Sequence, residues 1–100
     1  MISKRHTEDK MRLHAVVHGR VQGVGFRAYT QREAMTLELV GWVRNNNDGT
    51  VEVVAEGRKA TLDRFLHWLE TGPSYASVTR VEKSWGHYSG EFTRFSIRYF

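Results

Sequence analysis

Gly19-Arg20-Val21-Gln22-Gly23-Val24-Gly25-Phe26-Arg27 is the stretch whose residue types could do chemistry. Its glycines lie between a strand-like run and a helix-like run, and Arg27 closes it. Glycine permits positive φ and close backbone approach. A strand-to-helix turn also aims unpaired N–H groups and the positive end of a helix dipole into one small space. Such a space suits an anion, phosphate above all. The planar guanidinium of Arg27 adds a fork of donors matched to phosphate oxygens. Taken alone, the loop serves equally as a tight turn with a solvated arginine. Gly23-x-Gly25-x-x-Ala28 fits a dinucleotide fingerprint only formally, because that motif needs a larger parallel sheet, and the Gly-Lys-Ser/Thr of a Walker loop does not occur.

The second candidate is Asn45, which ends the strand-like run Gly41-Trp42-Val43-Arg44-Asn45. An asparagine there commonly caps or turns the chain. Aimed at the glycine loop instead, its amide offers a donor and an acceptor that can orient a water molecule. The histidines (His6, His14, His18, His67 and His87) have no metal-ligand spacing with one another or with a carboxylate, so no metal is expected.

The elements that must position these groups follow from periodicity. Met11, Leu13, Ala15 and Val17 alternate with Arg12, His14, Val16 and His18, which predicts a half-buried strand over 11–18. From about Val24 to Leu37, the residues Phe26, Thr30, Ala34 and Leu37 fall on one helical stripe, with Tyr29 beside it. Strands are expected over 40–45 and 50–56, joined by Asn46-Asn47-Asp48-Gly49, whose residues tolerate left-handed conformations and signal a hairpin. Gly57-Arg58-Lys59 reads as a break before a helix over 60–71, carried by Leu62, Phe65, Leu66 and Leu69 and stopped by Gly72-Pro73. A strand over 78–85, a turn over 86–91 and a last strand over 92–99, with Phe95, Ile97 and Tyr99 on one side, complete the chain. Trp42, Trp68 and Trp85 read as core or core-edge residues, Trp68 being the most exposed because it lies off the leucine stripe. The order β-α-β-β-α-β plus a terminal strand places two helices on one face of a mainly antiparallel sheet. That is an α+β, ferredoxin-like two-layer sandwich.

The chain has 100 residues, about one domain. Residues 1–10 are polar and read as a flexible leader, with the domain over 11–100. No apolar run approaches the ~20 residues that span a bilayer, and the first residues lack the apolar segment of a signal peptide. The absence of cysteine excludes disulfides and thiolate chemistry, so a cytoplasmic location is the default. The formal net charge of +4 comes from 15 basic residues interleaved with 11 acids, a diffuse excess that suits small anions as readily as polynucleotides.

Gly19 to Arg27, together with Gly41-Trp-Val-Arg-Asn-Asn-Asn-Asp-Gly-Thr-Val51 and on to Gly57, resembles the two signature segments of the acylphosphatase family. The resemblance runs from about Met11 to Tyr99. It implies a ferredoxin-like fold and hydrolysis of the carboxyl-phosphate bond of acyl phosphates, without a metal or cofactor. It places the phosphate-binding arginine on Arg27 and the water-orienting asparagine on Asn45. The phosphate-cradling loop falls on Gln22, Gly23, Val24, Gly25, Phe26 and Arg27. Many relatives carry threonine where this chain has Asn46, a change expected to tune turn rigidity and leave the chemistry intact. The implied partners are a small acyl phosphate and inorganic phosphate as product and inhibitor, with no nucleic acid, no membrane and a monomeric protein. Similar domains occur inside hydrogenase-maturation carbamoyltransferases; a stand-alone chain favours the simple hydrolase. An RNA-binding sheet is the contrasting class. The outer faces of the two central strands, with Arg12, His14, Val16 and His18 beside Glu52, Val54 and Glu56, offer two acids and no aromatic platform for it.

Overall fold

Leu13, Ala15 and Val17 are fully buried while Arg12, His14 and Val16 between them are not, so β1 (Lys10–Arg20) has one core face and one open face. The computed structural model describes residues 9–99. The leader expected over 1–10 therefore lies, through residue 8, outside the described residues. Lys10 already belongs to β1, paired with Arg58.

Four further strands, β2 (Val40–Asn45), β3 (Val51–Arg58), β4 (Ser77–His87) and β5 (Phe95–Arg98), complete one sheet in the order β4-β1-β3-β2-β5. All neighbours are antiparallel except β2 and β5, which run parallel. The helices α1 (Phe26–Thr36) and α2 (Lys59–Thr71) bury Phe26, Thr30 and Ala34, and Leu62, Phe65, Leu66 and Leu69, respectively. Both stripes cover the face that carries Leu13, Ala15, Val43 and Val53. This is the α+β, ferredoxin-like sandwich, with Phe65 packed edge-on against Phe95 at 6.1 Å between ring centroids.

Several boundaries differ from the periodic reading, each for a reason of pairing. No break separates β3 from α2. Gly57 and Arg58 finish β3 opposite Met11 and Lys10, and the Lys59 N–H bonds the Asp9 carbonyl at 2.9 Å. The expected turn at 86–91 moves to 88–94, because β1 is long enough to pair Arg12 with Gly86 and Met11 with His87. Buried Glu56 then holds the new turn by accepting from Arg12 Nε (2.7 Å), Ser89 N (3.0 Å), Ser89 Oγ (2.9 Å) and Gly90 N (3.1 Å). In the hairpin only Gly49 takes positive φ, at 92°; the asparagines and Asp48 do not. Trp42 faces outward, since Val43 beside it faces the core, and lies between the guanidinium groups of Arg44 (5.1 Å) and Arg98 (4.8 Å). Trp68 is half-buried, packed on Phe26 at 6.0 Å where the end of α2 meets the start of α1.

One close approach fixes where the glycine loop begins. At Gly19 (φ 125°) the β1–β4 register shifts, and a Cβ there would lie 2.1 Å from the Ser77 carbonyl oxygen. Gly19→Ala should therefore destabilise the protein by at least about 3 kcal/mol through strain and backbone displacement. Urea unfolding would register this as a lower midpoint at unchanged m-value; an unchanged midpoint would contradict the contact.

Candidate active site

Topology gathers four segments at one end of the sheet. Val51 pairs with Val17 of β1 and with Asn45 of β2, so the end of β1, the end of β2 and the start of β3 lie together. Because β5 runs parallel to β2, with Arg98 opposite Arg44, Tyr99 emerges at the same end. The glycine loop (21–25) leaves β1 there. It is anchored by buried Val21 and Phe26 and turned by Gly23 and Gly25, which take φ of 76° and 78°.

A cavity of about 200 Å³ opens between these segments, lined by Gly23, Gly25, Arg27, Ala28, Asn45 and Tyr99 over a floor of Val21, Phe26 and Ile97. That volume is below the ~300–1,000 Å³ of pockets for drug-sized ligands and suits a small ion. α1 begins at its wall. The Tyr29 N–H makes the first helical bond, to Gly25 O at 3.1 Å, so the preceding amides of the turn have no intrahelical acceptor. No acidic residue lies in the first turn of α1, which leaves the positive end of the helix uncompensated. The Arg27 guanidinium stacks on Tyr99, 5.0 Å from the ring centroid, a cation–π contact that restricts its orientation. Asn45 Oδ1 is buried without a hydrogen-bond partner. Larger concavities exist, but one contains Glu38 and Glu56 and another Glu33 and Asp63, carboxylates that oppose an anionic ligand.

The structure thus brings Gly23, Gly25, Phe26, Arg27 and Asn45 together on one cavity. Gln22 and Val24 do not line it. Gln22 turns its side chain to the hairpin, and Val24 packs against the core. Ala28 and Tyr99 line the cavity although neither stood out among the candidate site residues. For Tyr99 the signal was present, since its alternation with Phe95 and Ile97 points it toward the helix side where Arg27 lies. Among the described residues, no three His, Asp or Glu side chains are grouped to hold a metal ion, and no helix is long and apolar enough to cross a membrane.

The hairpin beside Asn45 is itself cross-braced. Asn46 Nδ2 donates to Thr50 Oγ1 (3.0 Å), and the Asp48 carboxylate accepts from Thr50 Oγ1 (2.6 Å) and the Thr50 N–H (3.0 Å). Asn46 therefore bonds within the turn that follows Asn45.

Fold and site together define a two-layer ferredoxin-like domain with a cavity, lined by the glycine loop, Arg27 and Asn45, at the end of its sheet. The acylphosphatase family model matches residues 13–97. An acylphosphatase of Pelotomaculum thermopropionicum is 43% identical over 91 residues, which span 91% of this chain and 99% of that relative. One of Thermus thermophilus is 54% identical over 79 residues, spanning 79% and 90% of the two chains. The crystal structure of acylphosphatase from Bacillus subtilis superposes with a TM-score of 0.86 at 39% identity, covering 89% of this chain and 99% of that one. The chain belongs to the acylphosphatase family. It is an enzyme whose activity is acyl phosphate hydrolysis.

The hydrogen bonds from Thr50, that from its hydroxyl foremost, hold the Asp48 carboxyl below its ordinary pKa. A depressed carboxylate stabilises the fold above its unfolded pKa of ~3.9 and loses that contribution as pH falls through the folded value. A carbon-detected NMR titration should place the Asp48 midpoint below ~3.9, with the Thr50 amide resonance moving at the same pH. A midpoint at or above the ordinary value would contradict the brace.

Proposed function

We propose that the cavity holds the phosphoryl group of an acyl phosphate, with Arg27 and the loop amides as its ligands and Asn45 as the group that aims the attacking water. One observation carries this reading: Arg27 and Asn45 line the same small cavity beside the start of α1. The Asn45 carboxamide offers an acceptor for a water proton. Accepting that proton turns a lone pair of the water toward the phosphorus.

The chemistry needs few groups, because the substrate is already activated. The departing carboxylate is the base of an acid with a pKa of ~4, so it leaves without protonation. Water oxygen bonds to phosphorus as the bond from phosphorus to the acyl oxygen breaks. The bonding pair departs with the carboxylate, and the water proton passes to a phosphoryl oxygen. Among the described residues, no side-chain carboxylate or imidazole lines the cavity, consistent with a reaction that uses no protein base. What the protein contributes is alignment of water and leaving group and neutralisation of the charge spreading over the phosphoryl oxygens. The mechanism is metal-free and cofactor-free, and the working form is a monomer.

Arg27→Ala should weaken both phosphate inhibition and turnover. Asn45→Ala should lower kcat by roughly 10²–10³ while the inhibition constant of inorganic phosphate stays nearly constant. Initial rates on benzoyl phosphate with phosphate as competitor separate the two effects; wild-type turnover by Asn45→Ala would remove its role. Excess EDTA should leave the rate unchanged. Loss of activity restored by a divalent metal would overturn the metal-free reading.

A further inference from the structure

Gln22 opens the glycine loop, yet its side chain faces away from the cavity. Its one amide nitrogen donates twice across 24 and 28 residues, to the Asn46 carbonyl at 2.8 Å and to the Thr50 carbonyl at 2.9 Å. Those two carbonyls close the neck of the hairpin. Thr50 O also accepts the Asn46 N–H (2.9 Å), and Asn46 O also accepts the Gly49 N–H (3.2 Å). Asn46 follows Asn45 directly, so Gln22 holds the carbonyl of the residue next to the water-aiming one.

The backbone ladder does not supply this link. Pairing of β1 with β3 ends at Val17 opposite Val51, and the rest of β1 pairs only with β4, as far as Arg20 opposite Ser77. Beyond those points the loop carrying Arg27 and the hairpin carrying Asn45 are separate turns. Among the described residues, the two bonds from Gln22 are the hydrogen bonds that join them. The groups that hold the anion and the group that aims the water therefore sit on different pieces of chain, with one carboxamide spanning the gap.

We infer that Gln22 is a positioning residue. Its carboxamide sets the distance between the phosphoryl site and the Asn45 water site, and so acts on catalysis through Asn45. This inference rests on the functional reading above. In-line attack tolerates little error, and a displacement of about 1 Å can cost ~10² in rate. Loss of the strut should hence lower kcat and leave the anion cradle, built by the loop and Arg27, nearly intact.

The test compares wild type, Gln22→Met, Gln22→Glu, Asn45→Ala and the Gln22→Met/Asn45→Ala double variant on benzoyl phosphate, each confirmed folded by circular dichroism. Gln22→Met, close in shape but without the donor, should lose roughly 10–10² in kcat with the phosphate inhibition constant changed less than about threefold. In the Asn45→Ala background the same substitution should have little further effect, because the strut acts through the missing side chain. Gln22→Glu provides a readout that simple stabilisation does not move. At neutral pH its carboxylate faces two carbonyl oxygens. Once protonated, its O–H donates to one of them, so kcat should rise as pH falls through a variant pKa above the ordinary ~4.3. Neither wild type nor Gln22→Met should show that rise. Should Gln22→Met not fold, the acid recovery of Gln22→Glu decides alone.

Wild-type kcat in Gln22→Met, equal losses of Gln22→Met in both backgrounds, or a Gln22→Glu profile parallel to wild type would each overturn the strut. Failure of wild type itself to turn over benzoyl phosphate would instead remove the reading on which the strut rests.

Discussion

Val51 stands between Val17 on one side and Asn45 on the other, and the site depends on that double pairing. It brings the ends of two antiparallel strands beside a third at one edge of the core. The loop after β1 and the hairpin after β2 then share the same volume. Residues 51 and 17 are fully buried valines, so the pairing is locked by exclusion of water as well as by the backbone ladder. Parallel pairing of β5 with β2 delivers Tyr99 to the same place. A slip of one residue by β1 against β3 would turn Leu13, Ala15 and Val17 to solvent, and the buried face prevents it.

In the proposed reaction, the charges that meet the phosphoryl group are built into the chain. Amides at a helix start are fixed dipoles, and a guanidinium presents a planar fork of donors. Neighbouring carboxylates are kept busy elsewhere. Burial works to raise the pKa of Glu52, but hydrogen bonds from His14 and Arg44 outweigh it and keep the group ionised. Glu56 is treated likewise by Arg12 and by the Ser89 and Gly90 amides, at the far end of β3. Negative side chains near the sheet are thus bound to partners on the open face, away from the cavity.

Much of this arrangement was legible in the amino-acid order. Alternation from Met11 to His18 and the stripe of Leu62, Phe65, Leu66 and Leu69 are local patterns, and each became the element they describe. Element ends were less legible, because a strand stops where its partner stops. Gly86 and His87 join β4 only because β1 runs long enough to meet them. Trp42, read as core or core-edge, is half-buried on the outer side, where period-two alternation with buried Val43 sends it. The side chain of Gln22 was beyond reach altogether. Contacts across 24 and 28 residues leave no periodic trace, and the backbone of the same residue offered a simpler reading.

Lys10 pairs with Arg58, at the opposite pole of the sheet from the cavity, whereas Tyr99 forms part of the cavity rim. The two ways out of the domain are therefore unequal. An affinity tag, a linker or a neighbouring domain joined ahead of β1 would point away from incoming molecules. The same addition joined after Tyr99 would emerge beside Arg27, crowding the entrance and competing for the ring on which that guanidinium rests.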